Sequence, residues 1–148
     1  MKSIKFTETI VIDKPADVVF DYTQDYTTRL NWDTFLRKAD LIDGAASAAK
    51  GVKAYCEAKN GLGMVTEYIT FNRPKATAIQ MTKGPYMFSA FLGSWTFKTL
   101  DLHITEVVFL YSFTLRFPFN IAAVLIKQIL KRNVKMRLND LKTCIENN

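Results

Sequence analysis

Between Leu36 and Arg116 the chain is cut again and again by turn-forming pairs: Asp43-Gly44, Asn60-Gly61, Arg73-Pro74, Gly84-Pro85 and Leu100-Asp101. In the segments between them apolar and polar residues alternate, the period of a half-buried strand. The strands predicted are Arg37–Ile42, Gly51–Lys59, Met64–Asn72, Ala76–Lys83, Met87–Thr99 and Leu102–Arg116. Connections this short permit only antiparallel neighbours, because a parallel crossover needs about a dozen residues or more. The last two strands are more than twice the usual length of about 5–6 residues, so the sheet must curve strongly.

Other segments frame that run. Ser3–Asp13 reads as a strand, with Ile4, Phe6, Ile10 and Ile12 on one parity. At Asp13-Lys14-Pro15, Asp13 is placed to act as N-cap and the proline to start a helix carrying Val18, Val19 and Tyr22. A second helical turn, Tyr26–Trp32, follows. At the other end Pro118 opens one long helix to about Ile145, with Ile126, Leu130, Val134, Leu138, Leu141 and Ile145 at spacings of three and four. A chain of 148 residues with this order forms a single domain, 1–148.

A sheet of this kind cannot close into a packed barrel while a long helix lies against its concave side. The helix covers part of the concavity, and the remainder, roofed by the short helices, is left as a cavity. Parity places Val107, Phe109, Tyr111, Phe113 and Leu115 inside, with His103 and Thr105 near the strand's start, and Phe91, Trp95 and Phe97 on the preceding strand. On the third strand the inward set is Val52, Ala54, Cys56 and Ala58. Large aromatics on one wall and small side chains on another leave room between them.

Few residues on these faces carry chemistry. Glu8 shares the parity of Ile4 and Phe6, and Glu67 that of Val65, Ile69 and Phe71. A carboxylate on an apolar face is costly unless paired, so either is a candidate general base or ligand anchor. The alternative for both is a rim position in water or a β-bulge that flips the parity, which Tyr68 on the opposite parity suggests for Glu67. The lone His103 is a residue type suited to acid–base work, but it falls in a Leu-Asp-Leu-His turn, where a solvated ring is the simpler reading. Cys56 is a candidate nucleophile with nothing basic beside it, and an inert thiol otherwise. Arg29 offers a head-group contact or a solvated charge. With one histidine, distant cysteines and a hairpin at Asn60-Gly-Leu-Gly63 rather than a phosphate loop, neither a metal nor a nucleotide cofactor is expected.

Composition narrows the partners. The chain is 49% hydrophobic and 23% charged, which is globular and not disordered. Lys and Arg number 20 against 14 acidic residues, a net +6. Most of that excess lies on the last helix, where Lys127, Lys131, Arg132, Lys135, Arg137 and Lys142 face only Asp140 and Glu146. No aromatic residues interleave with them, so nucleic acid is not expected. The start of that helix is apolar nearly all round: Phe117, Phe119, Ile121, Ala122, Val124, Leu125, Ile126 and Ile129. Leu125 and Ile129 then meet the ligand, a homodimer mate or a membrane surface, unless they pack in the core beneath a solvated lysine face. No apolar run reaches the ~18 residues of a membrane span. The opening MKSIKFTETIVID has no secretory core, so a cytoplasmic, reduced protein is expected.

Certain local motifs are more particular. They are Ile10-Val-Ile-Asp-Lys-Pro-Ala-Asp-Val-Val-Phe-Asp-Tyr22 with Asp25 and Trp32-Asp33, then Phe71-Asn-Arg-Pro74, then Gly93-Ser-Trp-Thr-Phe97 followed by Thr105. With these and its element order, essentially the whole chain resembles the START-like, helix-grip (SRPBCC) superfamily, in its polyketide cyclase/dehydrase and lipid-transport branch. The resemblance implies an α+β helix-grip fold: a seven-stranded curved antiparallel sheet wrapped around a long C-terminal helix, with two short helices after the first strand. It also implies a pocket for a hydrophobic or amphipathic small molecule, such as a lipid, polyketide or isoprenoid, and carries no invariant catalytic residue. A non-catalytic binder or carrier is the expected function. The rivals are a cyclase, dehydrase or hydrolase using Glu67 or Glu8 with Tyr68 or Tyr111, and a protein- or membrane-interaction module using the last helix. The expected cavity set is Trp32, Cys56, Tyr68, Tyr86, Phe88, Phe91, Trp95, Phe109, Tyr111, Phe113, Leu125 and Ile129, with Trp32, Tyr86 and Phe88 at the mouth.

Overall fold

The computed structural model describes residues 2–147. In chain order the elements are β1 (Ile4–Ile12), α1 (Ala16–Gln24), α2 (Arg29–Trp32), β2 (Leu36–Leu41), β3 (Lys53–Ala58), β4 (Gly63–Asn72), β5 (Ala76–Lys83), β6 (Phe88–Asp101), β7 (Ile104–Leu115) and α3 (Ala123–Glu146). All strands join one antiparallel sheet in the order β1-β7-β6-β5-β4-β3-β2. Strands β2 to β7 therefore form a meander, and β1 adds to its far edge along β7. Helix α3 lies against β1 and α2. This is the expected helix-grip arrangement.

The turns behave as their residues require. At the β3–β4 hairpin Gly61 has φ +95°, a conformation closed to most side chains, and Asn60 Oδ1 accepts the Leu62 N–H at 3.0 Å. Along β7 burial alternates strictly, with Thr105, Val107, Phe109, Tyr111, Phe113 and Leu115 inward. On β6 the inward residues are Phe88, Phe91, Trp95 and Phe97, with a bulge between Phe88 and Ala90 that lets two aromatics three apart share a face.

Certain expectations are corrected. Asp13 does not cap α1: the cap position is Pro15, without a side-chain bond, and the Asp13 N–H donates instead to Glu146 Oε2 at 2.8 Å. The long helix begins at Ala123, because Phe119–Ala122 winds into a tighter 3₁₀ turn. Within β4 the pairing slips between Tyr68 and Thr70, and that bulge splits the parity of the strand. Thr66 and Tyr68 are buried on the inner face, and Phe71 rejoins that face beyond the bulge against Phe20. Glu67 is thereby turned away from the cavity.

The core gathers where α1, α2 and the second half of α3 meet the sheet. Ile12, Val19, Phe20, Trp32, Val107, Val134, Leu138, Leu141 and Ile145 are all 2% exposed or less. Toward the start of α3 the helix and sheet part, and Ile126 and Leu130 are only half-buried.

Candidate ligand cavity

The space left there is a cavity of about 320 Å³, at the low end of the roughly 300–1,000 Å³ typical of small-molecule sites. One wall is aromatic: Phe91 packs edge-on to Tyr111 at 4.7 Å, Tyr111 to Phe109 at 4.7 Å, and Phe109 to Trp95 at 4.6 Å. Gly93 makes that wall possible, because a Cβ there would sit 3.1 Å from the Tyr111 ring. Opposite lie Cys56, Ala58, Met64 and Thr66 from β3 and β4, and Ile126, Ile129 and Leu130 from α3 close the side. Exposed Asn60 and Leu62, with Pro85, Met87 and Ile129, mark the mouth.

The closed end is polar. Tyr68 donates to Gln24 Oε1 at 2.7 Å, and Gln24 Nε2 donates to Thr23 Oγ1 at 2.9 Å. Burial raises the phenols of Tyr68 and Tyr26 above the ordinary tyrosine range. Beside them Asp33, completely buried, accepts from Arg29 Nε at 2.8 Å and from Arg137 Nε and Nη2 at 2.9 and 2.7 Å. Arg137 Nη1 also donates to the Tyr111 hydroxyl at 2.9 Å. Burial pushes the Asp33 carboxyl up, but the charges and hydrogen bonds of Arg137 and Arg29 outweigh it and hold the group down at about 2.

Of the expected cavity set, Cys56, Tyr68, Phe88, Phe91, Trp95, Phe109, Tyr111 and Ile129 line this space together. Others do not. Trp32 is fully buried in the core, edge-on to Trp95 at 6.1 Å with Arg29 over its ring at 5.1 Å, because α2 tucks beneath the sheet's end instead of framing the mouth. Phe113 is buried behind Phe88 and Phe91. Tyr86 is 70% exposed and stacks under Arg116. Leu125 is 59% exposed, one helical position away from the lining residue Ile126.

The candidate acid–base groups scatter. Glu8 keeps its inward parity beside Phe109 but is half-buried under α3, outside the cavity. Glu67 faces outward for the reason given above. His103 is exposed in the β6–β7 turn, where its backbone N–H donates to Asp101 Oδ1. Cys56 does line the cavity, but burial raises its thiol more than Arg29 and Arg137 lower it, so it stays protonated near neutral pH. Among the described residues no group of acidic, His and Cys side chains is arranged to hold a metal ion, and no helix is long and apolar enough to cross a membrane.

Sequence reasoning missed Arg137 by counting it with the solvated lysines. A signal was there: Leu130, Val134, Arg137, Leu141 and Ile145 follow one another at spacings of three and four, which puts the arginine in the apolar stripe.

Comparisons with known proteins agree with this geometry. A family described as polyketide cyclase / dehydrase and lipid transport matches residues 3–146. The Zhui aromatase/cyclase from Streptomyces sp. R1128 is similar in structure at a TM-score of 0.83, with 15% identity, over 98% of this chain and 94% of that one. A START superfamily protein from Mycobacterium smegmatis reaches the same TM-score of 0.83 at 9% identity, covering 97% of each chain. Norcoclaurine synthase from Thalictrum flavum, solved with dopamine and hydroxybenzaldehyde, has a TM-score of 0.74 at 8% identity over 99% and 88% of the two chains. No curated protein matches in sequence.

Proposed function

From the premise that this chain belongs to the polyketide cyclase / dehydrase and lipid transport family, we propose that it binds a hydrophobic or amphipathic small molecule in the cavity between sheet and α3 and carries it without covalent chemistry. The observation that supports this reading is the make-up of the lining. It is largely aromatic and aliphatic, and among the described residues it holds neither a carboxylate nor a histidine. Its two innermost phenols are already bonded within the protein: Tyr68 to Gln24, and Tyr111 to Arg137. Such groups orient a bound molecule, whereas general acid–base catalysis needs a proton carrier that titrates near the working pH.

Native mass spectrometry of protein purified from cells, followed by organic extraction, tests this. The expected result is a species heavier than the chain by one small molecule, which extraction recovers as an apolar compound. A protein that emerges empty and also fails to bind the apolar dye Nile red overturns the reading.

The surroundings of the mouth favour a membrane surface as the place of loading. Phe117, Ile121, Val124 and Leu125 are between 59% and 78% exposed, next to Leu62 and Ile129, each 50% exposed at the mouth. Over residues 59–66, 83–91 and 116–132, the segments that border the mouth, the charged residues are Lys59, Lys83, Arg116, Lys127, Lys131 and Arg132, with no acidic residue. Apolar side chains ringed by cations suit an anionic bilayer. In flotation with phosphatidylcholine vesicles, adding a third phosphatidylglycerol is expected to raise the bound fraction, and Val124→Glu with Leu125→Glu to abolish it. Equal binding to neutral vesicles, or no effect of the two glutamates, would overturn the idea.

A further inference from the structure

The closed end of the cavity carries a charge that the chain itself does not balance. Arg29 from α2 and Arg137 from α3 converge on one carboxylate, Asp33. Both arginines are buried, at 9% and 8% exposure, and both line the cavity, while Asp33 lies behind them at 0%. Among the described residues neither is bonded to a second carboxylate. The other groups whose fields act on Arg29 are Tyr26 and Cys56, and on Arg137, Tyr111 and the like-charged Arg29. Tyr26 and Cys56 are held protonated by burial, so neither supplies an anion. Burial disfavours both guanidinium ions, yet Asp33 keeps them charged. Two cations facing one anion leave a net positive charge against an apolar space, an arrangement that is costly until a counter-ion arrives.

The donor geometry fits that counter-ion. Arg137 commits Nε and Nη2 to Asp33 and Nη1 to Tyr111. Arg29 gives Asp33 only its Nε, and the rest of its guanidinium, which also interacts with the Tyr26 phenol, carries no carboxylate. A guanidinium edge is matched to the two oxygens of a carboxylate. The aromatic wall of Phe91, Trp95 and Phe109 begins alongside and receives an apolar body.

We propose that the natural occupant is a hydrophobic monoanion, an organic acid whose carboxylate docks on the Arg29–Arg137 pair while its apolar body lies along the aromatic wall. This inference rests on the reading of the cavity as a ligand site. A matched pair of probes separates the two: dodecanoate and 1-dodecanol, the same chain with and without the charge. Each is titrated near neutral pH, followed by tryptophan fluorescence, to which Trp32 and Trp95 both contribute, and by displacement of Nile red.

Dodecanoate is expected to bind at least about tenfold more tightly than dodecanol, or about 1.4 kcal/mol. Arg29→Met leaves Asp33 in a balanced pair with Arg137 and is expected to remove the preference for dodecanoate, lowering its affinity at least about tenfold more than that of dodecanol. Arg137→Met leaves the alternative pair and serves where the first variant does not fold. Equal affinity of the two probes for the unmodified protein overturns the anion site and leaves the cavity reading standing. So does a loss of both probes in equal measure in a folded Arg29→Met, which marks a purely structural arginine. If neither probe binds nor displaces the dye, the cavity reading falls and the anion site with it.

Discussion

Asp33→Ala is expected to remove about 3–5 kcal/mol of stability, the range for breaking a buried ion pair by deleting one partner. That is a large share of the roughly 5–15 kcal/mol that holds a domain together, so the urea midpoint should fall sharply. Asp33 is fully buried, and its two oxygens accept hydrogen bonds from Arg29 and Arg137. Without it two buried guanidinium ions face each other with no anion between them. The cluster also ties the fold together, because Arg29 belongs to α2 and Arg137 to α3, and a shared carboxylate fixes one helix against the other. Urea unfolding followed by circular dichroism measures the loss, and a free energy within about 0.5 kcal/mol of the unmodified protein, the scatter of ordinary surface changes, would show that the cavity hydrates both cations.

The same group gives a pH signature. Its carboxyl is held at about 2, below the ordinary 3.8. A depressed acid stabilises the fold above its unfolded value and loses that contribution as the pH falls through its folded value. Stability due to Asp33 is thus complete above about pH 5 and lost between about pH 4 and 2, on the order of 2 kcal/mol at 1.36 kcal/mol per pH unit. Comparison with Asp33→Asn isolates it from Asp21, Glu57 and Glu146, whose carboxyls are also lowered by their bonds to Arg73, to Tyr55 and Arg37, and to Lys142.

How much of this was legible follows from the range of each signal. Alternation along β7 and the turn pairs between strands are local, and they place the sheet to within a residue or two of its observed bounds. The slip between Tyr68 and Thr70 is not local. It depends on how β4 pairs with β5, and it decides that Tyr68 enters the cavity and Glu67 does not. The stripe on α3 was visible too, but periodicity cannot say that its first members, Ile126 and Leu130, face empty space where the sheet curves away. The arginine pair was half visible. Arg29 and Asp33 stand four apart, a spacing at which helix side chains meet. Arg137 lies 104 residues from Asp33, and nothing in either segment announces the other. Net charge misled as well, since it counted a buried, cavity-lining arginine among solvated lysines.

Filling the cavity is expected to cost nearly all binding while strengthening the fold. A cavity of 320 Å³ forfeits the packing contacts that a filled core would make. A core selected for packing alone would not keep it. Gly93 shows that the small residues are not all spare room: a Cβ there would crowd the Tyr111 ring at 3.1 Å, and the hydroxyl of that ring accepts from Arg137. Ala58 is different. It is buried on the inner face of β3, on the wall opposite the aromatics, where a larger side chain points into the space. Ala58→Phe is expected to raise unfolding stability by about 0.5–2 kcal/mol, as cavity-filling changes do, and to weaken Nile red binding by at least about a hundredfold, near 2.8 kcal/mol. Thr66→Phe, from the neighbouring strand of the same wall, should repeat both effects from a second direction. Gain in stability with loss of binding is the signature of a space held open for an occupant. Binding that survives both phenylalanines would put the ligand somewhere else on the protein, and the apolar rim around Val124 and Leu125 would then be the surface to search.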